Sequence, residues 1–253
     1  MNYSKSVEQL AHRYNRAEQK VVAAYFSRTR APQEHIQWLK AQAFKEYSAI
    51  KPLVKALDKL YPQLDRTVDR HDYEELCEKL ADETKHARLI MDFLEELVGQ
   101  PLTQKDLAWL PEDQKLAQVR ARYSKSYAGL LHGSERITTQ EIQRRDEVLE
   151  RAAITLTEGG GGALYEVCRK LTGDRSQRRI AAIFKEIHRD EVKHKDSGGD
   201  ALAGRVKTRK DYDRSVRIIR TVSSQRLRMR NEQFGHPFDE PTLKSLDKKC
   251  WQS

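Results

Sequence analysis

Two segments of the chain, Asp82-Glu83-Thr84-Lys85-His86 and Asp190-Glu191-Val192-Lys193-His194, each set a carboxylate and an imidazole three residues apart. On a helix, residues i and i+3 share a face, so each segment can aim both side chains at one spot. Oxygen and imidazole donors of this kind suit divalent iron or manganese, and without a thiolate partner a structural zinc site is disfavoured. One Glu-x-x-His says little in a chain with eight histidines and many glutamates. Two of them, both preceded by Asp and both in helix-patterned sequence, say considerably more.

The elements that would carry these groups follow from hydrophobic periodicity. A helix is predicted over 35–61, with the stripe Leu39, Ala43, position 46, Ile50, Leu53, Leu57 and Leu60. The steps alternate four and three, the period of one helix face. Position 46 is Glu46, a carboxylate in an apolar seam, and Pro52 predicts a kink. A second helix is predicted over 71–98 with the stripe Leu76, Leu80, Glu83, Ala87, Ile90, Leu94 and Leu97, closed by Gly99. A third spans about 139–172, opened by the capping box Thr138-x-x-Glu141 and carrying Glu158 near its middle. A fourth runs from about 177 with the stripe Ile180, Phe184, Ile187 and Glu191.

These helices form two hairpins of one pattern, Glu on the first helix and Glu-x-x-His on the second. Antiparallel helices bring two residues to one height only if the turn lies midway between them. The midpoint of Glu46 and Glu83 is about residue 64, and that of Glu158 and Glu191 about residue 174. The predicted turns fall there, at Pro62–Asp69 and Gly173-Asp174. Four inward carboxylates would repel one another strongly, and a buried unpaired carboxylate costs several kcal/mol. Two divalent cations would balance the four charges.

The arrangement resembles the ferritin-like di-iron carboxylate superfamily, in which two bundle helices give one Glu each and the other two give Glu-x-x-His. The Asp-Glu-x-x-His form is similar to the motif of its oxygen-activating branch: bacterial multicomponent monooxygenase hydroxylases, acyl-carrier-protein desaturases and arylamine N-oxygenases. The resemblance spans about 35–200. It implies Glu46, Glu83, His86, Glu158, Glu191 and His194 as metal ligands, with Asp82 and Asp190 as acceptors for the ligand imidazoles. Such acceptors fix the tautomer and raise ligand basicity. The sequence departs from the branch at Lys85 and Lys193, where Arg often stands, and at Gly162, where the monooxygenases carry Thr. Ile90 stands where the ribonucleotide reductase small subunit has its radical Tyr, which speaks against that activity.

The fold class expected is therefore all-α, a ferritin-like four-helix bundle with additional helices. An N-terminal helical arm is expected over 1–34, the di-iron domain over 35–233 and a polar C-terminal tail over 234–253. The extra helices are predicted at 6–28, 112–131 and 209–233. The activity implied is O2-dependent oxidation of an organic substrate by hydroxylation, N-oxygenation, desaturation or cleavage. The cofactor would be two Fe ions, or an Fe/Mn pair. A ferritin- or rubrerythrin-like ferroxidase or peroxidase is the alternative, and a nucleic-acid-acting di-iron hydroxylase a more distant one.

Gly159-Gly160-Gly161-Gly162 directly follows Glu158. Four glycines within a helix cost roughly 3–4 kcal/mol relative to alanines. One reading is a bulged, open substrate pocket formed by Gly159, Gly161, Gly162 and Tyr165; the other is a helix break or a close helix contact. His188, one turn before Glu191, is either an extra ligand, an outer hydrogen-bonding group or neither.

Length and composition set the remaining limits. The 253 residues are 34% charged and 8% aromatic, with 12 glycines, which suits a helical protein better than a β-sandwich. No apolar run approaches the roughly 20 residues of a membrane span, and the N-terminus has no signal-like pattern. Cys77, Cys168 and Cys250 are odd in number and widely spaced, which fits a reducing, cytoplasmic setting. A net charge of +9 favours acidic partners. The helix at 209–233 concentrates Arg209, Lys210, Arg214, Arg217, Arg220, Arg226, Arg228 and Arg230. It reads as a solvated face, or as a dock for an acidic carrier, a ferredoxin, an anionic substrate or tRNA. Expected partners are O2, a small-molecule or carrier-bound organic substrate of anionic character, an electron donor such as a ferredoxin or reductase, and a second copy in a homodimer. No membrane association is expected.

Overall fold

The computed structural model describes residues 2–64, 68–124, 145–158 and 161–252. The described residues are helical, with one isolated β-bridge between Leu64 and Val68. The all-α class holds, and the architecture is compatible with a helical bundle carrying extra helices. No described helix is long and apolar enough to cross a membrane. The chain divides into two compact units, residues 30–109 and residues 1–29 with 110–253.

The unit 30–109 is built on helices α2 (Ile36–Leu60) and α3 (Arg70–Val98), which pack together as a hairpin. Leu39, Ala43, Glu46 and Leu57 of the expected α2 stripe are buried, as are Ala87, Ile90 and Leu94 of α3. Pro52 lies within α2, and the helix continues to Leu60. Asp69 caps α3 by accepting a hydrogen bond from the His71 backbone N–H at 2.7 Å. Gly99 ends α3 with φ at 78°, a left-handed conformation that glycine adopts without a Cβ penalty. The segment after it is pinned to the hairpin. Glu95 accepts from the Leu102 N–H at 2.8 Å, and Trp109 stacks on Phe44 with ring centroids 5.5 Å apart.

The second unit contains α1 (Tyr3–Phe26), α4 (Pro111–Ala121), α5 (Arg145–Glu158), α6 (Gly161–Cys168), α7 (Arg175–Ala203), α8 (Arg209–Gln233) and α9 (Glu240–Gln252). Helix α1 packs against α8, α6 and α9; α7 packs against α5 and α6. Val7, Leu10, Tyr14 and Val21 of α1 join Ile218, Ile219, Val222 and Leu227 of α8 in the core. Helix α4 stops at Ala121 and is followed by a turn at 122–123, short of the expected 131; residues 125–131 of that stretch, and the capping box Thr138-x-x-Glu141, lie outside the described residues. Gly173-Asp174 makes the expected turn, with the Asp174 carboxylate accepting from the Gln177 N–H at 2.9 Å.

The basic helix α8 differs from the expected solvated face at two positions. Arg226 and Arg230 are buried, and both pair with the buried Glu18 of α1, at 3.2 and 3.4 Å. Arg217 and Arg220 are exposed, and the Arg220 guanidinium lies 3.9 Å from the centroid of the Trp251 ring on α9. The stretch expected as a polar tail contains α9, which buries Leu243 and Cys250. Arg13 donates to the Cys250 carbonyl at 2.6 Å, fastening α9 to α1.

Candidate metal site

Within the α2–α3 hairpin, Glu46, Glu83 and His86 converge so that one ligand atom from each lies within 4.8 Å of the others. Glu46 projects from the seam of α2 between Ala43 and Ile50, where an apolar residue would continue the stripe. Glu83 and His86 are one turn apart on α3 and so present one face to it. His86 is fully buried, Glu46 nearly so and Glu83 half-buried.

The donor set suits a divalent cation. His86 Nδ1 lies 3.9 Å from Glu46 Oε2, beyond hydrogen-bonding distance. Two donors each roughly 2.0–2.2 Å from an ion can stand about 4 Å apart, so one cation would bridge them with small adjustment. Carboxylate oxygens beside an imidazole nitrogen are the donors that divalent iron or manganese takes. Glu46 also has a partner on its own helix. The Gln42 side-chain amide, one turn earlier on α2 and itself buried, donates to Glu46 Oε1 at 2.6 Å. Sequence reasoning passed over Gln42; the available signal was its i−4 spacing from Glu46 on the same helix face. The same buried face carries Trp38, whose indole N–H donates to His35 Nδ1 at 3.2 Å.

The second expected group lies in the other unit. Glu191 is half-buried on α7, and Asp190 beside it is buried, with Oδ1 3.8 Å from Arg189 Nε. The side chains of Glu158 and His194 lie outside what is described, as do residues Gly159 and Gly160. Asp82, expected to support His86, is half-buried.

Other expected site residues have distinct surroundings. His188 faces Glu166 of α6, with Nε2 3.3 Å from Oε2. Burial raises the pKa of that carboxylate, but Lys170 and Arg169, which also pair with it, together outweigh burial and hold it below the ordinary value. Tyr165 is buried and stacks on Phe184 with ring centroids 5.8 Å apart. Helix α5 ends at Glu158 and α6 begins at Gly161, on either side of the first two glycines of the run. Gly162 is buried within α6.

No known protein family, curated protein or solved structure matches this chain. The chain is a helical protein with a carboxylate and histidine triad that could hold a metal ion, compatible with a ferritin-like fold.

Proposed function

We propose that the protein is an O2-dependent di-iron oxidoreductase that oxidises an organic substrate. The observation that carries this reading is the convergence of Glu46, Glu83 and His86 inside one helix hairpin. The sequence repeats the same Glu and Glu-x-x-His pattern at Glu158, Glu191 and His194, which the resemblance implies as further iron ligands.

Glu46, Glu83 and His86 would hold one ion, and the resemblance implies Glu158, Glu191 and His194 as ligands of a second. Bound iron would supply the redox chemistry toward O2. The chain's own carboxylates would balance the charge of the ions, with His86 shielded from solvent and Glu46 held by Gln42. Hydroxylation, N-oxygenation, desaturation and cleavage are all outcomes open to such a site. Sustained turnover would draw electrons from an external donor, and the exposed Arg217 and Arg220 offer positive charge to an acidic one.

Anaerobic loading with Fe(II), followed by metal analysis and O2-uptake measurements, tests the proposal. Two irons per chain are expected, with O2 uptake that rises when an oxidisable substrate and a reductant are supplied together. Uptake that stops once the bound Fe(II) is oxidised, and is indifferent to every organic substrate, would instead indicate iron handling. Absence of iron binding would overturn both.

A further inference from the structure

We propose that Gln42 is a positioning residue of the metal site: its amide fixes the Glu46 carboxylate so that Oε2 is the oxygen offered to a divalent cation. The inference rests on the metal-binding reading of Glu46, Glu83 and His86. Gln42 and Glu46 stand one turn apart on the buried face of α2, both at 4% exposure, with Nε2 2.6 Å from Oε1. An ionised carboxylate only accepts hydrogen bonds, so the amide must present its NH2 group to it. A bond from a neutral donor to a buried anion is among the stronger kinds, and here water does not compete for it.

The two oxygens of Glu46 consequently differ. Oε1 is engaged by Gln42, while Oε2 points toward His86 Nδ1 at 3.9 Å. A free carboxylate can bind a cation through one oxygen or both. Gln42 weights Glu46 toward the one-oxygen mode and sets the rotation of the carboxylate before any ion arrives. A coordination position that Glu46 would otherwise fill stays open to an exogenous ligand. Glutamine is also neutral, so it fixes the carboxylate without cancelling the charge that attracts the cation.

Co(II) titration of the full-length chain, followed by visible absorption, tests this without any assay of turnover. Wild type should bind Co(II) with d–d bands, and Glu83→Ala should lose much of that binding. Gln42→Met keeps the length of the side chain and the helix propensity but removes the donor. It should fold as wild type, bind Co(II) about 10–100-fold more weakly, as for other outer-sphere partners, and show weaker d–d bands as Glu46 gains access to two-oxygen binding. Gln42→Leu gives the same comparison should the methionine variant fail to fold. Unchanged affinity and spectrum in a folded variant would overturn the role of Gln42 while leaving the metal site standing. Weaker binding with an unchanged spectrum would assign Gln42 to packing and overturn it as well. A wild-type chain that takes up no Co(II) would overturn the metal site and, with it, this role.

Discussion

Glu46 Oε2 and His86 Nδ1 stand 3.9 Å apart inside the α2–α3 hairpin, with no more than 5% of either side chain exposed. The gap is too wide for a hydrogen bond and suited to a shared ion. A ligand that binds only the folded state stabilises it by mass action, about 2.7 kcal/mol at a hundredfold excess over Kd. Mn(II), or anaerobic Fe(II), should therefore raise the unfolding temperature of the wild-type chain. Glu46→Ala should abolish most of that increase. Equal increases in both proteins, followed by circular dichroism during heating, would remove Glu46 from the site.

The hairpin that holds this pair was legible in the sequence because its stripes are long and regular. Each helix repeats the 4/3 step over three turns or more, and Glu46 and Glu83 fall in register with the apolar residues. Gly99 marked the end of α3 because only the left-handed cap required it. Gln42 was not legible, since a polar residue between apolar ones looks like any helix-surface amide. The Glu18 pairs with Arg226 and Arg230 were hidden for another reason: partners more than 200 residues apart leave no local pattern. Helix α9 escaped notice because it buries only Leu243 and Cys250, too few apolar positions for a period to emerge.

The second Glu-x-x-His group makes its own prediction. Glu191 is half-buried on α7, and the sequence pairs it with His194 as Glu83 pairs with His86. If the chain holds two irons, Glu191→Ala should lower the bound iron toward one per chain, because charge and ligation are lost on one side only. Glu83→Ala should do the same from the other side. Metal analysis after anaerobic loading and desalting reads the result. One iron in wild type, unchanged by Glu191→Ala, would reduce the site to the α2–α3 cluster.

Glu18 carries the largest expected effect on stability outside the metal site. Its two carboxylate oxygens face Arg226 and Arg230, and all three side chains are buried. Burial pushes the Arg230 pKa down and nearby Arg226 reinforces this, while Glu18 opposes it. Removing one partner from a buried ion pair typically costs about 3–5 kcal/mol, because the remaining charge is left without compensation. Glu18→Ala should lower the urea midpoint accordingly. A change under about 1 kcal/mol would mean that water or another anion reaches the arginines.

The three cysteines should separate cleanly by reactivity. Cys77 is exposed on α3, whereas Cys168 and Cys250 are buried. The reactive species is the thiolate, and burial in apolar surroundings disfavours it. Burial pushes the Cys250 thiol from its ordinary value of 9.0 up to about 11, helped by the Asp247 carboxylate, and raises Cys168 further. At pH 8 a neutral alkylating reagent should therefore label one thiol per folded chain quickly and all three after unfolding. The raised pKa also fixes the direction of a stability effect. The folded state holds these thiol protons more tightly than the unfolded chain does, so their contribution is present below about pH 9. For Cys250 it is lost as pH rises from there through about 11. Unfolding free energies measured across that range should fall more steeply for wild type than for Cys250→Ala. Labelling of Cys250 as fast as Cys77 at pH 8 would show instead that α9 opens readily from α1, and that the thiol is shielded only briefly.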